Sequence, residues 1–199
     1  MNKSGGANTN KSGKAFEKET DGTQQLLQSG YEKIVKSASY LHKKINNKDI
    51  LFFQQTNFRK YMLNEYNIII KRNPDEIYMI KEDNHITFKI IEKKNQQCSG
   101  TVDSKIYNGP YFIEEYTYFL KDLINKNITY KVEYAYSLSD YFKNLFETSK
   151  KWQFTKDYLK KHNINIFFPS QKTYFSDIDN WITNKNVDDI TNKIKQITI

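Results

Sequence analysis

The sequence predicts an α/β fold in which helices flank a central mixed β-sheet. Apolar runs at residues 76–81 and 86–94 surround the polar turn EDNH, which is typical of a β-hairpin. Residues 128–138 place tyrosine or valine at every second position, as a strand with one buried face does. Between the hairpin and this strand, FIEEYTYFLKDLI spaces its apolar residues by three and four, which predicts a helix.

At the N-terminus we expect a flexible basic arm followed by a helix. Residues 1–13 are rich in Gly, Ser, Asn and Lys, a composition that is typical of mobile segments. Ser12 is a suitable N-cap for a helix that starts near Lys14 and carries Phe16 and Glu17.

The other elements follow from the same two periodicities. Apolar residues three and four apart predict a second helix over residues 31–45, and residues 50–70 predict a short helix that leads into an extended segment. Towards the C-terminus we expect helices at 140–147 and 152–162 and a short strand at 164–168. The sheet is thus expected to hold a near-meander of three strands and one further strand.

The chain length suits one domain. After the arm of residues 1–13, we expect a single domain over residues 14–199. Its core covers about 14–168, and residues 169–199 form a helical segment on the surface.

The charge balance favours a polyanionic partner. The formal net charge is +8, which suits nucleic acid or an anionic membrane surface. A surface made soluble by a composition rich in Lys, Asn and Ile would carry the same charge without such a partner.

Several classes of protein are disfavoured by what the sequence lacks. The single cysteine, Cys98, excludes an internal disulfide framework and fits a reducing compartment. The first residues lack the apolar core of a signal peptide, and no apolar stretch approaches the length of a membrane span. No GxxxxGK[ST] or GxGxxG run is present, so no nucleotide cofactor is expected. We therefore expect a soluble, cytoplasmic protein.

The predicted hairpin sets a register that brings two acids together. If the turn holds the two residues 83–84, the numbers of paired residues sum to 167, so Ile77 faces Ile90. One step further out, Asp75 faces Glu92. Directly opposed side chains lie about 5 Å apart, and like charges there destabilise the pair.

The same register selects one of two adjacent lysines. Because side chains alternate along a strand, Glu92, Lys94 and Gln96 share one face of the sheet. Lys93 lies on the other face together with Lys89, and that face is expected to be partly wet.

Two neighbouring carboxylates require a proton or a cation between them. Lys94 supplies one positive charge, and a divalent metal that prefers oxygen ligands, such as Mg²⁺, would supply the rest. Such a site suits phosphodiester chemistry, because the metal activates water and stabilises the developing charge. The alternative is an edge hairpin whose ends carry ordinary solvated charges.

These residues resemble a known family. Pro74-Asp75 followed by Glu92-x-Lys94 at the end of an apolar strand resembles the PD-(D/E)XK nuclease superfamily. The run EKKNQQCSGTVDSKI, residues 92–106, resembles the type II restriction endonucleases within it, as does Gly13 before Phe16-Glu17. The likeness consists of motif patches across residues 5–110, with a compatible order of elements to about residue 168.

The resemblance implies a restriction-endonuclease-like core and Mg²⁺-dependent cleavage of double-stranded DNA, with Mn²⁺ able to replace Mg²⁺. By position, Asp75 and Glu92 would bind the metal, and Lys94 would attend the water or the scissile phosphate. Glu17 would complete the acidic cluster directly or through water, and Gln96 would steady the site. A homodimer is expected if both strands of a palindrome are cut.

Three further groups are candidates for contacts with DNA. Lys105 could touch a phosphate or cap the following helix, and Lys150 and Lys151 form a basic patch beside a tryptophan. Gln171 and Lys172 lie on a predicted loop and suit the edges of adenine and guanine in the major groove.

Other functions stay open from the sequence. A junction resolvase or repair nuclease that recognises DNA shape would use the same chemistry, and a non-catalytic basic module would bind nucleic acid without it. Residues 42–49, HKKINNKD, match the phospholipase-D-type pattern His-x-Lys-x4-Asp. His42 is predicted on a solvated helix end, which disfavours that chemistry.

Overall fold

A computed structural model describes residues 6–97 and 105–184 and contains one seven-stranded mixed sheet. The first five strands in the order are antiparallel neighbours, and the last two run parallel to the fifth. The prediction of an α/β fold with a mixed sheet is confirmed. The strands, in chain order and in sheet order, are β1 (Glu32–Val35), β2 (Ser39–Ile45), β3 (Lys48–Gln54), β4 (Glu76–Glu82), β5 (His85–Lys94), β6 (Thr129–Leu138) and β7 (Asn165–Phe167).

Helices connect the parallel strands and cover both faces of the sheet. Parallel neighbours need a crossover connection, and α4 lies between β5 and β6, while α5 and α6 lie between β6 and β7. None of the helices in the described ranges has the length and apolar run that crossing a bilayer requires. The helices are α1 (Gly6–Glu19), α2 (Thr23–Gln28), α3 (Thr56–Tyr66), α4 (Gly109–Leu120), α5 (Asp140–Thr148), α6 (Lys150–Lys161) and α7 (Tyr174–Thr183), with a 3₁₀ helix at Lys121–Lys126.

The helix predicted over residues 31–45 is wrong, because this segment forms the β1–β2 hairpin. Its apolar residues belong to two strands, and the turn between them produced spacings of three and four. Leu41 is buried on one face of β2 opposite Phe52 of β3, so pairing with a long neighbouring strand decides the conformation. In residues 50–70, the predicted short helix is α3. The residues before that helix belong to β3, which was not predicted.

The N-terminal helix starts earlier than expected. It begins at Gly6 rather than near Lys14 and ends at Glu19. The hydroxyl of Thr20 donates to the Phe16 carbonyl at 2.7 Å, at the end of the helix. Of the predicted arm, residues 6–13 therefore belong to α1, and residues 1–5 lie outside the described part of the chain.

The β4–β5 hairpin has the predicted register. Ile77 pairs with Ile90 and Met79 pairs with Phe88, so the partner numbers sum to 167. The two-residue turn includes Asp83 at a φ of 51°, in the left-handed region that aspartate tolerates. The predicted strand of residues 128–138 and the helix before it are also confirmed.

The sheet is buried on both faces, which corrects the expectation that the Lys89 and Lys93 face is partly wet. Ile77 and Met79 point into a core under α3, α4, α5 and α6. Tyr78 and Ile80 point into a second core, which α7 covers with Tyr174, Ile178 and Ile182. Lys89 and Lys93 are therefore buried charges, with exposed fractions of 0% and 8%.

Lys89 connects the sheet with α7. Its Nζ lies 3.0 Å from a carboxylate oxygen of Glu133 on β6 and donates to the Trp181 carbonyl at 2.5 Å. A third bond reaches Oδ1 of Asn184 at 2.8 Å. Burial lowers the pKa of Lys89, while the Glu133 charge opposes that shift. These contacts hold the C-terminal helix against β5 and β6.

Candidate active site

The fold brings Asp75, Glu92 and Lys94 to one edge of the sheet. Glu76 pairs with Ile91, so Asp75 and Glu92 are the next residues outward, as the register predicted. Oδ2 of Asp75 accepts a hydrogen bond of 2.7 Å from the backbone N–H of Lys93, which fixes this carboxylate beside the end of β5.

Lys94 lies on the same face as Glu92. Its Nζ is 2.5 Å from Oε1 of Glu92, and the two side chains are 17% and 15% exposed. The pair is thus close to solvent at one side and packed at the other.

The electrostatics of Glu92 favour a bound cation. Burial raises the pKa of Glu92, the Lys94 ammonium lowers it, and the charge of Asp75 raises it again, so that the pKa lies above its ordinary value. The rise in the pKa comes mainly from burial, and the charge of Arg72 lowers the pKa alongside that of Lys94. Additional positive charge at this edge would favour the ionised carboxylate.

Lys93 points to the opposite face, as the alternation predicted. Its Nζ lies 2.6 Å from Oε1 of Glu76 and 3.0 Å from the Thr20 carbonyl, and both charged side chains are almost fully buried. Burial raises the pKa of Glu76, and the Lys93 charge opposes that shift. Lys93 therefore has a structural role: it ties the end of α1 to the sheet.

Glu17 lies in a cleft that Asp75 also lines. This cleft of about 480 Å³ lies between the C-terminal half of α1 and the junction of β3 with α3. Glu17 is exposed there, on the side of the sheet where Lys93 enters its ion pair. The structure thus places Glu17 beside Asp75, whereas Glu92 and Lys94 lie on the other face.

Gln96 is held by a residue that the sequence pattern did not reveal. The Ser139 hydroxyl accepts a bond from the Gln96 N–H at 3.1 Å and donates to the Gln96 carbonyl at 2.8 Å. The Ser139 N–H in turn donates to the Lys94 carbonyl at 3.1 Å. Ser139 therefore joins the end of β5 to the end of β6 beside the two acids.

Both arginines of the chain fix the segment that leads to Asp75. Arg59 donates from Nε to the Ile70 carbonyl at 2.7 Å and from a terminal nitrogen to the Asn73 side chain at 3.2 Å. Arg72 forms an ion pair with Glu115 of α4, and its guanidinium lies 4.1 Å from the centre of the Phe112 ring. The sequence contains a sign of their special role, because these two are the only arginines and the other 29 of the 31 basic residues are lysines.

Three buried tyrosines surround Glu92 on its inner side. Burial, and then the Glu92 charge, raise the pKa values of Tyr116, Tyr134 and Tyr136 well above the ordinary value. Tyr136 donates its hydroxyl proton to the Lys105 carbonyl at 3.0 Å. The inner wall of the site is therefore aromatic, and it keeps the tyrosine hydroxyls protonated.

The other predicted DNA contacts lie on the surface. Lys105, Lys150, Lys151, Gln171 and Lys172 are all exposed. The neighbouring tryptophan is buried, with an exposed fraction of 4%, and belongs to the core. The Gly-Thr-Val-Asp-Ser run at 100–104 and Cys98 lie outside the described residues.

His42 lies on a strand, so its predicted position on a helix end is wrong. Its Nε2 is 2.7 Å from Oδ1 of Asp49 across the β2–β3 hairpin, and about a third of each side chain is exposed. The pattern at 42–49 thus describes a surface pair between two strands. His85, at the start of β5, is exposed near the hairpin turn.

Asp75 and Glu92 are the two residues that would hold a metal at this edge. Within residues 6–97 and 105–184, no three acidic, histidine or cysteine side chains converge on one point. Asp75 and Glu92 offer two carboxylates at an open edge, which suits Mg²⁺, since this ion usually takes one or two protein carboxylates and fills its shell with water and phosphate. Carboxylate oxygens are poor ligands for a soft metal.

Comparisons with known proteins return no relative. No protein-family model matches the chain, no curated protein matches its sequence, and no solved structure matches its fold.

Proposed function

We propose that this protein is a Mg²⁺-dependent endonuclease that hydrolyses phosphodiester bonds in double-stranded DNA. The observation that carries the proposal is the position of Asp75 and Glu92 one step outward from the Glu76–Ile91 pair, with Lys94 2.5 Å from Glu92. The PD-(D/E)XK resemblance supports the same activity. Its sequence pattern combines one acid before the first strand of a hairpin, here Asp75, with an acid and a lysine at the end of the second, here Glu92 and Lys94.

The topology supports the proposal independently of the motif. The antiparallel β4–β5 hairpin is followed by a helix and by β6 parallel to β5. The start of β4 and the ends of β5 and β6 therefore meet at one edge, which concentrates polar groups there. An open edge of this kind accepts an extended duplex more readily than a closed pocket does.

Asp75 and Glu92 would hold the metal. When bound, Mg²⁺ would lower the pKa of a water ligand and stabilise charge on the phosphate. Burial raises the pKa of Glu92, and a cation bound beside it would favour the ionised carboxylate. Glu17, in the cleft beside Asp75, would contact such an ion through water.

The protein groups have separate tasks in the proposed reaction. Lys94 is placed to orient the attacking water or to contact the scissile phosphate, which carries extra negative charge as the water attacks. The backbone N–H of Lys93 keeps the Asp75 carboxylate in position. Arg72 and Ser139 fix the two chain segments that bear the acids.

The finer assignment is a type II restriction endonuclease that acts as a homodimer. It rests on the resemblance of residues 92–106 to that group and on the symmetry of palindromic sites. A structure-specific nuclease is the second candidate, since the same chemistry would serve it.

A cleavage assay tests the proposal. Purified protein is incubated with unmethylated plasmid and Mg²⁺, and fixed fragments are expected. Glu92→Gln and Asp75→Asn should each lower the rate by roughly a hundredfold or more, because each removes a carboxylate that would hold the metal. EDTA should abolish cleavage, and Mn²⁺ should restore it.

A matched variant guards against contaminating nucleases. Glu65→Gln removes an exposed carboxylate on α3 and should cleave at the wild-type rate. Preferential cutting of branched DNA would select the structure-specific candidate. If no DNA is cut and Asp75→Asn changes no metal affinity, the protein is a binding module and the proposal fails.

A further inference from the structure

The cleft beside Asp75 carries polar groups that the proposed metal site does not use. It is open to solvent and has a volume of about 480 Å³, within the range of ligand sites. Its walls come from α1, from the β3–α3 junction and from the segment that leads into β4. The polar side chains that line it include those of Lys14, Lys18, Gln54, Gln55, Asn57 and Asp75.

Two lysines bring positive charge to the cleft, which the carboxylates of Glu17, Asp21 and Asp75 also line. Lys14 and Lys18 are one helical turn apart on α1, so both side chains project from the same face. Both are exposed, and neither forms an ion pair with any residue that the structure describes. Lys93, which also lines the cleft, is already neutralised by Glu76.

The acidic side chains of the cleft have other partners or another proposed role. Asp21 accepts bonds from Thr23 and from the Gln54 amide at 2.9 Å, so both of these groups are engaged within the fold. Glu17 and Asp75 belong to the proposed metal site. A backbone phosphate in the cleft would therefore contact the two lysines.

Gln55 is held in a backbone conformation that suits glycine. Its φ is 45° and its ψ is −121°, a region where a side chain is strained. Its N–H donates to the Pro74 carbonyl at 3.1 Å, immediately before Asp75. Its side chain is exposed and makes no hydrogen bond to a described residue, so the strain presents a free amide to the cleft.

We propose that this cleft binds one strand of the DNA substrate beside the scissile bond, with Lys14 and Lys18 on backbone phosphates and the Gln55 amide on a base edge. The inference rests on the proposed nuclease function and adds the contacts that position its substrate. Two lysines a turn apart can reach successive phosphates of one strand. A glutamine amide pairs with adenine in the major groove, so Gln55 would contribute to sequence preference.

Binding is measured in the Glu92→Gln background, which keeps the duplex intact. Fluorescence anisotropy with a labelled duplex that carries the cleaved sequence gives the affinity over a range of salt concentrations. The double change Lys14→Ala/Lys18→Ala should reduce the salt dependence by about 0.9 per lost phosphate contact. The matched control is Lys160→Ala/Lys161→Ala at the C-terminal end of α6, next to the start of β7 and away from the site edge.

Gln55→Gly separates function from folding. Glycine relaxes the backbone, so the melting temperature should stay the same or rise. Affinity for the cleaved sequence should fall by roughly tenfold to a hundredfold, with a smaller change for unrelated duplex. A variant that melts lower and binds normally would show that Gln55 only supports the fold and would overturn its assignment.

The outcomes distinguish this inference from the proposed function. If the wild-type protein cuts DNA while both cleft variants bind like the control, the inference fails alone. If the wild-type protein cuts no DNA and the Glu92→Gln protein binds none, the proposed function and the inference fail together.

Discussion

At the residue scale, two adjacent lysines have opposite environments. Lys94 meets Glu92 near solvent, and Lys93 meets Glu76 in the interior. The hairpin register predicted which lysine joins the acids, because strand alternation is a strict geometric rule. It could not predict the partner of Lys93, since burial of Glu76 depends on α1, more than fifty residues earlier in the chain.

This difference predicts separate effects for two matched variants. Lys94→Met should leave the fold intact and lower cleavage by roughly a hundredfold, because the group at the phosphate is lost. Lys93→Met should destabilise the protein by roughly 3–5 kcal/mol, because the Glu76 carboxylate stays buried without its partner. Urea denaturation gives the free energies of unfolding, and plasmid cleavage gives the rates.

A double variant checks the structural role of Lys93. Glu76→Leu combined with Lys93→Met removes both buried charges and should recover most of the lost stability. If Lys93→Met instead abolishes cleavage without any change in unfolding, the two lysines have been assigned to the wrong roles.

At the element scale, local sequence patterns predicted where the strands of the β4–β5 hairpin lie, but they did not predict which segments cover those strands. The alternation of Lys89 and Lys93 with apolar residues indicated a solvated face, yet α7 and the end of α1 bury both lysines. Such coverage comes from distant segments, so no window of the sequence contains it. The β1–β2 hairpin was missed for the same reason, because β3 provides the neighbour that stabilises it.

The contact between β5, β6 and α7 predicts a pH-dependent stability. Burial raises the pKa of Glu133, but the hydrogen bond from Lys131 and the charge of Lys89 lower it further, to a net value below the ordinary 4.5. A lowered pKa means that ionised Glu133 stabilises the fold above pH 4.5. The contribution is lost as the pH falls through the lowered pKa.

Glu133→Gln should therefore destabilise the protein by roughly 2 kcal/mol at pH 7, because Lys89 loses its charged acceptor. The difference from wild type should shrink as the pH falls below 4.5. Thermal and urea unfolding between about pH 3 and about pH 8 would measure this difference in stability. Glu82→Gln is the control, since its pair with Lys48 is exposed and should contribute less than about 1 kcal/mol. An equal effect of both substitutions at all pH values would contradict the assignment.

At the scale of the whole molecule, the sequence predicted the class of fold and the edge where the acids meet. It did not predict seven strands, because the apolar residues of β1 and β2 also fit a helical spacing and β3 lacks strong alternation. The turn signal between β2 and β3, Asn46-Asn47 with Asn46 at a φ of 52°, was overlooked. The two arginines and Ser139 also escaped notice, since their importance lies in contacts between segments far apart in the chain. Short-range periodicity finds elements, and long-range contacts decide how they frame a site.

The proposed homodimer predicts a stoichiometry. Sedimentation of the Glu92→Gln protein with a palindromic duplex of the cleaved sequence should give two chains per duplex, because a two-fold site matches a two-fold protein. A duplex with one half-site is the control and should bind more weakly. One chain per palindromic duplex at saturation would exclude the dimer as the cutting species.

The bonds of Ser139 bear on when activity arises during synthesis. The β4–β5 hairpin closes through a two-residue turn and can form as soon as its own residues are made. Its outer end is tied through Gln96 to a serine 43 positions later. A growing chain would therefore carry both acids before it can hold them in place. The proposed nuclease site would be complete only after β6 and the start of α5 have emerged and docked.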